Sequence, residues 1–144
     1  MTLEITDWMA RLAAILVFAG VIGFEREARD KPAGLRTHML VGLGSAMFTL
    51  ISLDGFEGGD PSRIAAGVVT GLGFIGAGVI LREGGSVRHL TTAADLWVVG
   101  ALGLVAGAGK IAEGAIGTVF AVIVLTVLRT WERRAPGTDR HDDP

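Results

Sequence analysis

Few side chains in this sequence have the type and spacing to do chemistry, and the most informative is Asp95, a carboxylate inside the apolar run 91–109. An ionisable group at such a depth costs at least about 2.5 kcal/mol unless it is paired. Two readings stay open for it. As a structural residue it caps Thr92 one turn upstream, in a capping-box pattern Thr92-Ala93-Ala94-Asp95, and pairs with Arg36, Arg82 or Arg88. As a functional residue it is an ion or proton site. Glu25, Glu27, Asp30 and Glu83 supply hard oxygen ligands of the kind Mg²⁺ takes. They are interleaved with Arg26, Arg29, Lys31, Arg82 and Arg88, which favours a salt-bridged collar over a metal cage and leaves no metal site assigned. His38 and His89 are expected as interfacial residues.

Glycines make the other pattern. Gly71-Leu-Gly-Phe-Ile-Gly76 fits G-x-G-x-x-G and Asp95 follows 19 residues later, but a dinucleotide site needs a strand before the glycines and another ending at the acid. His89 to Asp95 reads instead as a loop entering a helix. The same glycines suit close helix packing: Gly67-x-x-x-Gly71, Gly73-x-x-x-Ala77 and Gly103-x-x-x-Gly107 each set small residues on one helix face. With no nucleophile paired to a base, no zinc-protease or hydrolase motif and no Cys, an enzyme is not expected, nor a cofactor.

The elements that position these residues follow from where charge is missing. Apolar stretches at 8–24, 37–53, 64–81, 91–109 and 111–128 cover 89 of 144 residues yet hold only Arg11, Asp95 and Glu113 of the 28 charged side chains. Each is near the roughly 17–25 residues that cross hydrocarbon as a helix. A soluble helix would alternate polar and apolar faces, whereas here the polar residues collect between the runs. The expected fold is all-α, an integral membrane bundle of five transmembrane helices spanning residues 1–128, followed by a polar tail at 129–144 whose last eight residues are expected to be disordered. The net charge of −2 argues against a phosphate-neutralising nucleic-acid binder.

Ten Lys and Arg residues fall in 25–36, 82–90 and the tail, against Arg11, Arg63 and Lys110 on the other side, so the N-terminus is expected outside and the C-terminus in the cytoplasm. The first apolar run lacks the basic start and cleavage pattern of a signal peptide and is kept as a span, with Trp8 at its outer boundary and Arg11 and Glu25 reaching opposite interfaces. Asp60-Pro61-Ser62 marks a capped start for the third helix, and Lys110 leaves only a tight turn between the fourth and fifth. A faint repeat relates Gly20-Val-Ile22 with Arg26-Glu27 to Gly78-Val-Ile80 with Arg82-Glu83.

Three stretches together resemble the MgtC/SapB family of bacterial inner-membrane proteins. They are Gly23-Phe-Glu-Arg-Glu27, Pro32-Ala-Gly-Leu-Arg-Thr-His-Met-Leu-Val-Gly-Leu-Gly44, and Gly71-Leu-Gly-Phe-Ile-Gly-Ala-Gly-Val-Ile-Leu-Arg-Glu-Gly84 continuing through Val87-Arg-His-Leu-Thr-Thr-Ala-Ala94 to Leu96-Trp97. The resemblance implies a multi-pass inner-membrane protein linked to growth at low Mg²⁺ and to survival in host cells. Mg²⁺ transport is not itself implied. Glu83 and Thr91 match family positions tied to function, some members having Asn where Thr91 stands. Asp95 departs from the family, where a small or uncharged residue is usual. Many members continue into a soluble C-terminal domain, so a short form is expected here.

The resulting expectation is a non-enzymatic membrane protein that packs against itself or a membrane partner. Its functional candidates are Glu25, Arg26, Arg36, Arg82, Glu83, Arg88, Thr91, Thr92 and Asp95, and its packing residues are Gly67, Gly71, Gly73, Ala77, Gly103 and Gly107. The partners implied are the lipid bilayer and either a second copy or another membrane protein, with a link to Mg²⁺. The alternative is a cation or proton transporter or channel component that uses Asp95 and Glu83.

Overall fold

Each apolar run becomes one helix, and most helices start slightly before the expected limit. The computed structural model describes residues 3–56, 58–83 and 86–132. Helix α1 is Ile5–Glu27, α2 Leu35–Asp54, α3 Pro61–Val79, α4 Leu90–Gly107 and α5 Ile111–Ile123. A π-helical turn, Val124–Leu128, carries α5 into a last helical turn α6, Arg129–Glu132. Five helices are long and apolar enough to cross a membrane, the fifth counted as Ile111–Trp131. The tail beyond 132 lies outside the described residues.

The helix ends are local events. Asp60 caps α3 by accepting from the Ser62 backbone N–H at 2.9 Å, with Pro61 in the first turn. Hydrogen bonds from Ser62 hold the Asp60 carboxyl below its ordinary 3.8. Between α4 and α5 only 108–110 intervene, and Gly109 closes that turn at φ +80°, where a side chain would be strained. The segment expected as a plain loop at 82–90 contains instead a short antiparallel hairpin, β1 Leu81–Glu83 and β2 Ser86–Arg88, with Leu81 opposite Arg88. Gly71 to Gly76 lie mid-helix in α3, so no strand precedes them and the phosphate-loop reading falls.

Helix α4 is the hub. It packs on α1, α2, α3 and α5, and half of its apolar window is buried against 11% for α3. Ile15, Ile22, Leu96, Val99 and Ala106 are sealed in the core. Meanwhile Phe24, Leu40, Phe74 and Trp131 point outward. Large apolar side chains outside and charged ones inside invert the soluble pattern, as hydrocarbon solvent requires.

Close approach to α4 depends on its glycines. A Cβ on Gly103 would stand 2.6 Å from the Gly42 carbonyl oxygen and from Ser45 Cβ, and one on Gly107 would stand 2.6 Å from Thr49 Cβ. Ser45 Oγ then reaches across to donate to the Gly100 carbonyl at 2.6 Å. Gly103 and Gly107 are therefore points of close helix approach within the chain. At Gly67, Gly71 and Gly73 a Cβ would meet nothing within 4 Å, and Ala77 is exposed. The reason is that α3 turns Leu72 and Gly76 toward the bundle and its other small residues away from it.

This split is measurable. Gly103→Ala is expected to destabilise the protein by about 1–3 kcal/mol through overpacking against backbone, whereas Gly73→Ala leaves stability unchanged or slightly raised through helix propensity. Denaturation of the two variants in mild detergent, followed by circular dichroism, checks both; equal effects would contradict the helix rotation described.

Candidate functional site

The charged collar expected at the basic end of the bundle is partly turned inward. Arg26 on α1, His38 on α2 and Asp95 on α4 are 2%, 0% and 5% exposed, and they meet where the three helices cross. His38 Nε2 lies 3.1 Å from Asp95 Oδ1, and Arg26 Nη1 lies 3.6 Å from Asp95 Oδ2. Arg26 Nε also pairs with Glu25, whose other oxygen pairs with Arg29 one turn on. A carboxylate is thus faced by an arginine and an imidazole, and a second carboxylate by two arginines.

Local sequence explains how α1 and α2 come together here. Gly23 lets α2 approach, since a Cβ there would meet His38 Cβ and Leu35 Cα at 2.9 Å. Glu27 Oε2 accepts from the Leu35 N–H at 2.8 Å and so caps the start of α2. The Gly34 carbonyl accepts from the His38 N–H at 3.2 Å and faces its Nδ1 at 2.9 Å. In Gly23-Phe-Glu-Arg-Glu27, therefore, only Phe24 lacks a task within the chain; it is exposed.

Two acceptors flank the His38 ring, the Gly34 carbonyl at Nδ1 and Asp95 Oδ1 at Nε2.

These contacts correct four expectations. Asp95 does not cap Thr92: α4 starts at Leu90, its N-cap position is His89 in the left-handed region at φ 65°, and Thr92 is buried within the first turn. Among the described side chains Asp95 is partnered by Arg26 and His38, and not by Arg36. Arg36 is exposed on the first turn of α2, and Arg88 lies part-buried on β2. His38 is a core residue and not an interfacial one, and Glu25 turns to the two arginines instead of reaching the interface. The side chains of Arg82 and Glu83 lie outside what the structure describes. Thr91 is exposed and lines, with Asp95, a cavity of about 340 Å³ between α4, Ile22 of α1 and the π-helical turn at Val124 and Leu125. Asp95 Oδ2 is buried and accepts no hydrogen bond.

Among the described residues no three His, Asp or Glu side chains converge as a metal site. Each carboxylate of the cluster faces a cation of the protein.

The whole-chain comparison agrees with this architecture. The MgtC family profile matches residues 12–134. The chain belongs to the MgtC family. It is 46% identical over 94% of its length to YhiD of Escherichia coli K12, described as a candidate magnesium transporter, and spans 66% of that protein. It is 47% identical over 83% of its length to Protein MgtC of Brucella abortus, spanning half of it, and 40% identical over 88% to Protein MgtC of Salmonella typhimurium, spanning 54%. The chain thus covers between half and just under two thirds of these MgtC-family relatives. No solved structure matches it.

Removing one member of the buried cluster strands the others. Arg26→Leu is expected to cost about 3–5 kcal/mol, the penalty of an uncompensated buried carboxylate. In the double variant Arg26→Leu/Asp95→Leu the total should fall short of the sum of the single losses by about 0.5–3 kcal/mol. A double-mutant cycle in detergent that gave strict additivity would show that Arg26 and Asp95 are not coupled.

Proposed function

We propose that the protein is a non-enzymatic multi-pass protein of the bacterial inner membrane which works by packing one flank of α3 against another membrane helix, from a second copy or from a different protein. The observation that carries this reading is the open side of α3. Ala66, Thr70, Gly73 and Ala77 recur at helical spacing, all are exposed, and a Cβ on Gly73 would meet nothing within 4 Å. The glycines of α4, by contrast, are already used within the bundle. Small residues at such spacing are what close membrane-helix contacts are made from.

The Lys and Arg asymmetry supports a cytoplasmic basic end. There the cluster of Glu25, Arg26, His38 and Asp95 ties α1, α2 and α4 together, and the contact or sensing surface is assigned to this same basic end, to which the sequence also assigns Arg36, Glu83 and Arg88. Membership of the family supports a link to Mg²⁺ and, through the wider family resemblance, a role in adaptation to low Mg²⁺ and in survival within host cells.

A second reading is a cation or proton transporter using Asp95 and Glu83. The unsatisfied Oδ2 of Asp95 beside a cavity favours it, as does the description of the Escherichia coli relative. The protein cations ranged against the carboxylates weigh on the other side.

Because the chain has no Cys, single-cysteine variants read without background. Ala77→Cys in native membranes is expected to cross-link to a partner or a second copy, while Val119→Cys on the exposed side of α5 does not. If neither position cross-links, the packing reading loses its support. Purified protein in liposomes is expected to pass no Mg²⁺ or H⁺, and a flux abolished by Asp95→Asn would replace the first reading with the second.

A further inference from the structure

A groove runs between α2 and α3 on the other flank of α3. Its volume is about 670 Å³, and Leu40, Phe48, Ile64, Phe74 and Ile75 form its walls. Gly67 and Gly71 open it down to the α3 backbone, with nothing within 4 Å of where their Cβ atoms would be.

One charged side chain lines it. Arg63, exposed in the first turn of α3, stands at the mouth. Among the described residues no carboxylate pairs with its guanidinium, and the nearby Asp60 carboxyl is taken by Ser62. From Arg63 to Ile75 the groove follows twelve residues of helix, about 18 Å at ~1.5 Å per residue. That is close to one leaflet, half of a hydrocarbon core of about 30 Å.

A cation at the membrane boundary with an apolar furrow one leaflet deep below it calls for an occupant with an anionic head and a flexible apolar body. A second copy inserted the same way round would bring another Arg63 to the same depth, so that like charges meet. We propose that this groove is a binding site for a phospholipid, whose phosphate is held by Arg63 and one of whose acyl chains lies along Gly67 and Gly71. Arginine provides a forked set of donors for phosphate oxygens, and the missing glycine side chains provide the room. The site is separate from the Gly73 and Ala77 flank, so it stands or falls independently of the packing reading.

Native mass spectrometry of the full chain in mild detergent tests this. The probes are dipalmitoyl phosphatidylglycerol, the neutral diacylglycerol with the same chains, and inorganic phosphate. The phospholipid is expected to be retained in preference to both others. Arg63→Gln should weaken its retention about tenfold, in keeping with loss of a charge-assisted contact. Gly71→Leu, whose Cβ would meet nothing within 4 Å and whose side chain would fill the groove, should abolish it, and Gly73→Leu should leave it unchanged. Retention of diacylglycerol as strong as that of the phospholipid would overturn the proposal. So would retention indifferent to Gly71→Leu and Arg63→Gln, or a lipid-free dimer that Gly71→Leu dissociates.

Discussion

A buried carboxylate with no water to solvate it must be neutralised where it stands, and Asp95 imposes that condition on three helices at once. Arg26 comes from α1 and His38 from α2, so the rotation of both helices about their axes is tied to one residue of α4. Gly23 and Gly34 then have definite tasks, one admitting α2 to α1 and the other supplying the carbonyl that orients the imidazole. Glu25 and Arg29 complete the balance of charge. The cluster also accounts for the burial of α4, the helix on which the rest of the bundle packs.

The opposite end of the bundle is fastened by other means. Asp54 at the end of α2 accepts from the Leu3 N–H at 2.7 Å and from the Trp8 indole at 3.3 Å. Arg11 donates to the Gly107 carbonyl at 2.8 Å, placing a cation on the C-terminal end of the α4 dipole. Each is a charged side chain satisfied by neutral groups near the membrane boundary, where water helps. The basic end instead buries ion against ion. Such a cluster is weak evidence for stability as such, since packed apolar residues can do as well; its effect is to penalise any arrangement of α1, α2 and α4 that separates the charges.

Glycine serves two ends in this protein. In α4 it lets α2 and the side chain of Leu72 come within contact of the backbone, which in a bilayer replaces the hydrophobic drive that a soluble core enjoys. In α3 Gly67, Gly71 and Gly73 face away from the bundle, leaving on one flank a strip of small residues and on the other a groove. Identical residue types at identical spacing therefore carry opposite structural meanings. Only the rotation of each helix separates them.

The five spans, the capped start of α3 and the tight turn before α5 were legible in the amino-acid sequence alone, because each depends on neighbours in the chain. A helix in hydrocarbon satisfies its backbone internally and needs only length and apolarity to declare itself. The presence of Asp95 at an unfavourable depth was equally plain. Its partners were not: His38 lies 57 positions away, and nothing in their spacing shows that α1 and α2 turn Arg26 and His38 inward while Arg36 stays exposed. The β1–β2 hairpin was less legible because each strand has only three residues, although the Gly84-Gly85 pair between them is a hairpin turn signature. Tertiary structure alone decided which charges neutralise one another and which glycines are occupied, since both follow from how packed helices rotate against each other, and that rotation is settled by the whole bundle rather than by any one segment.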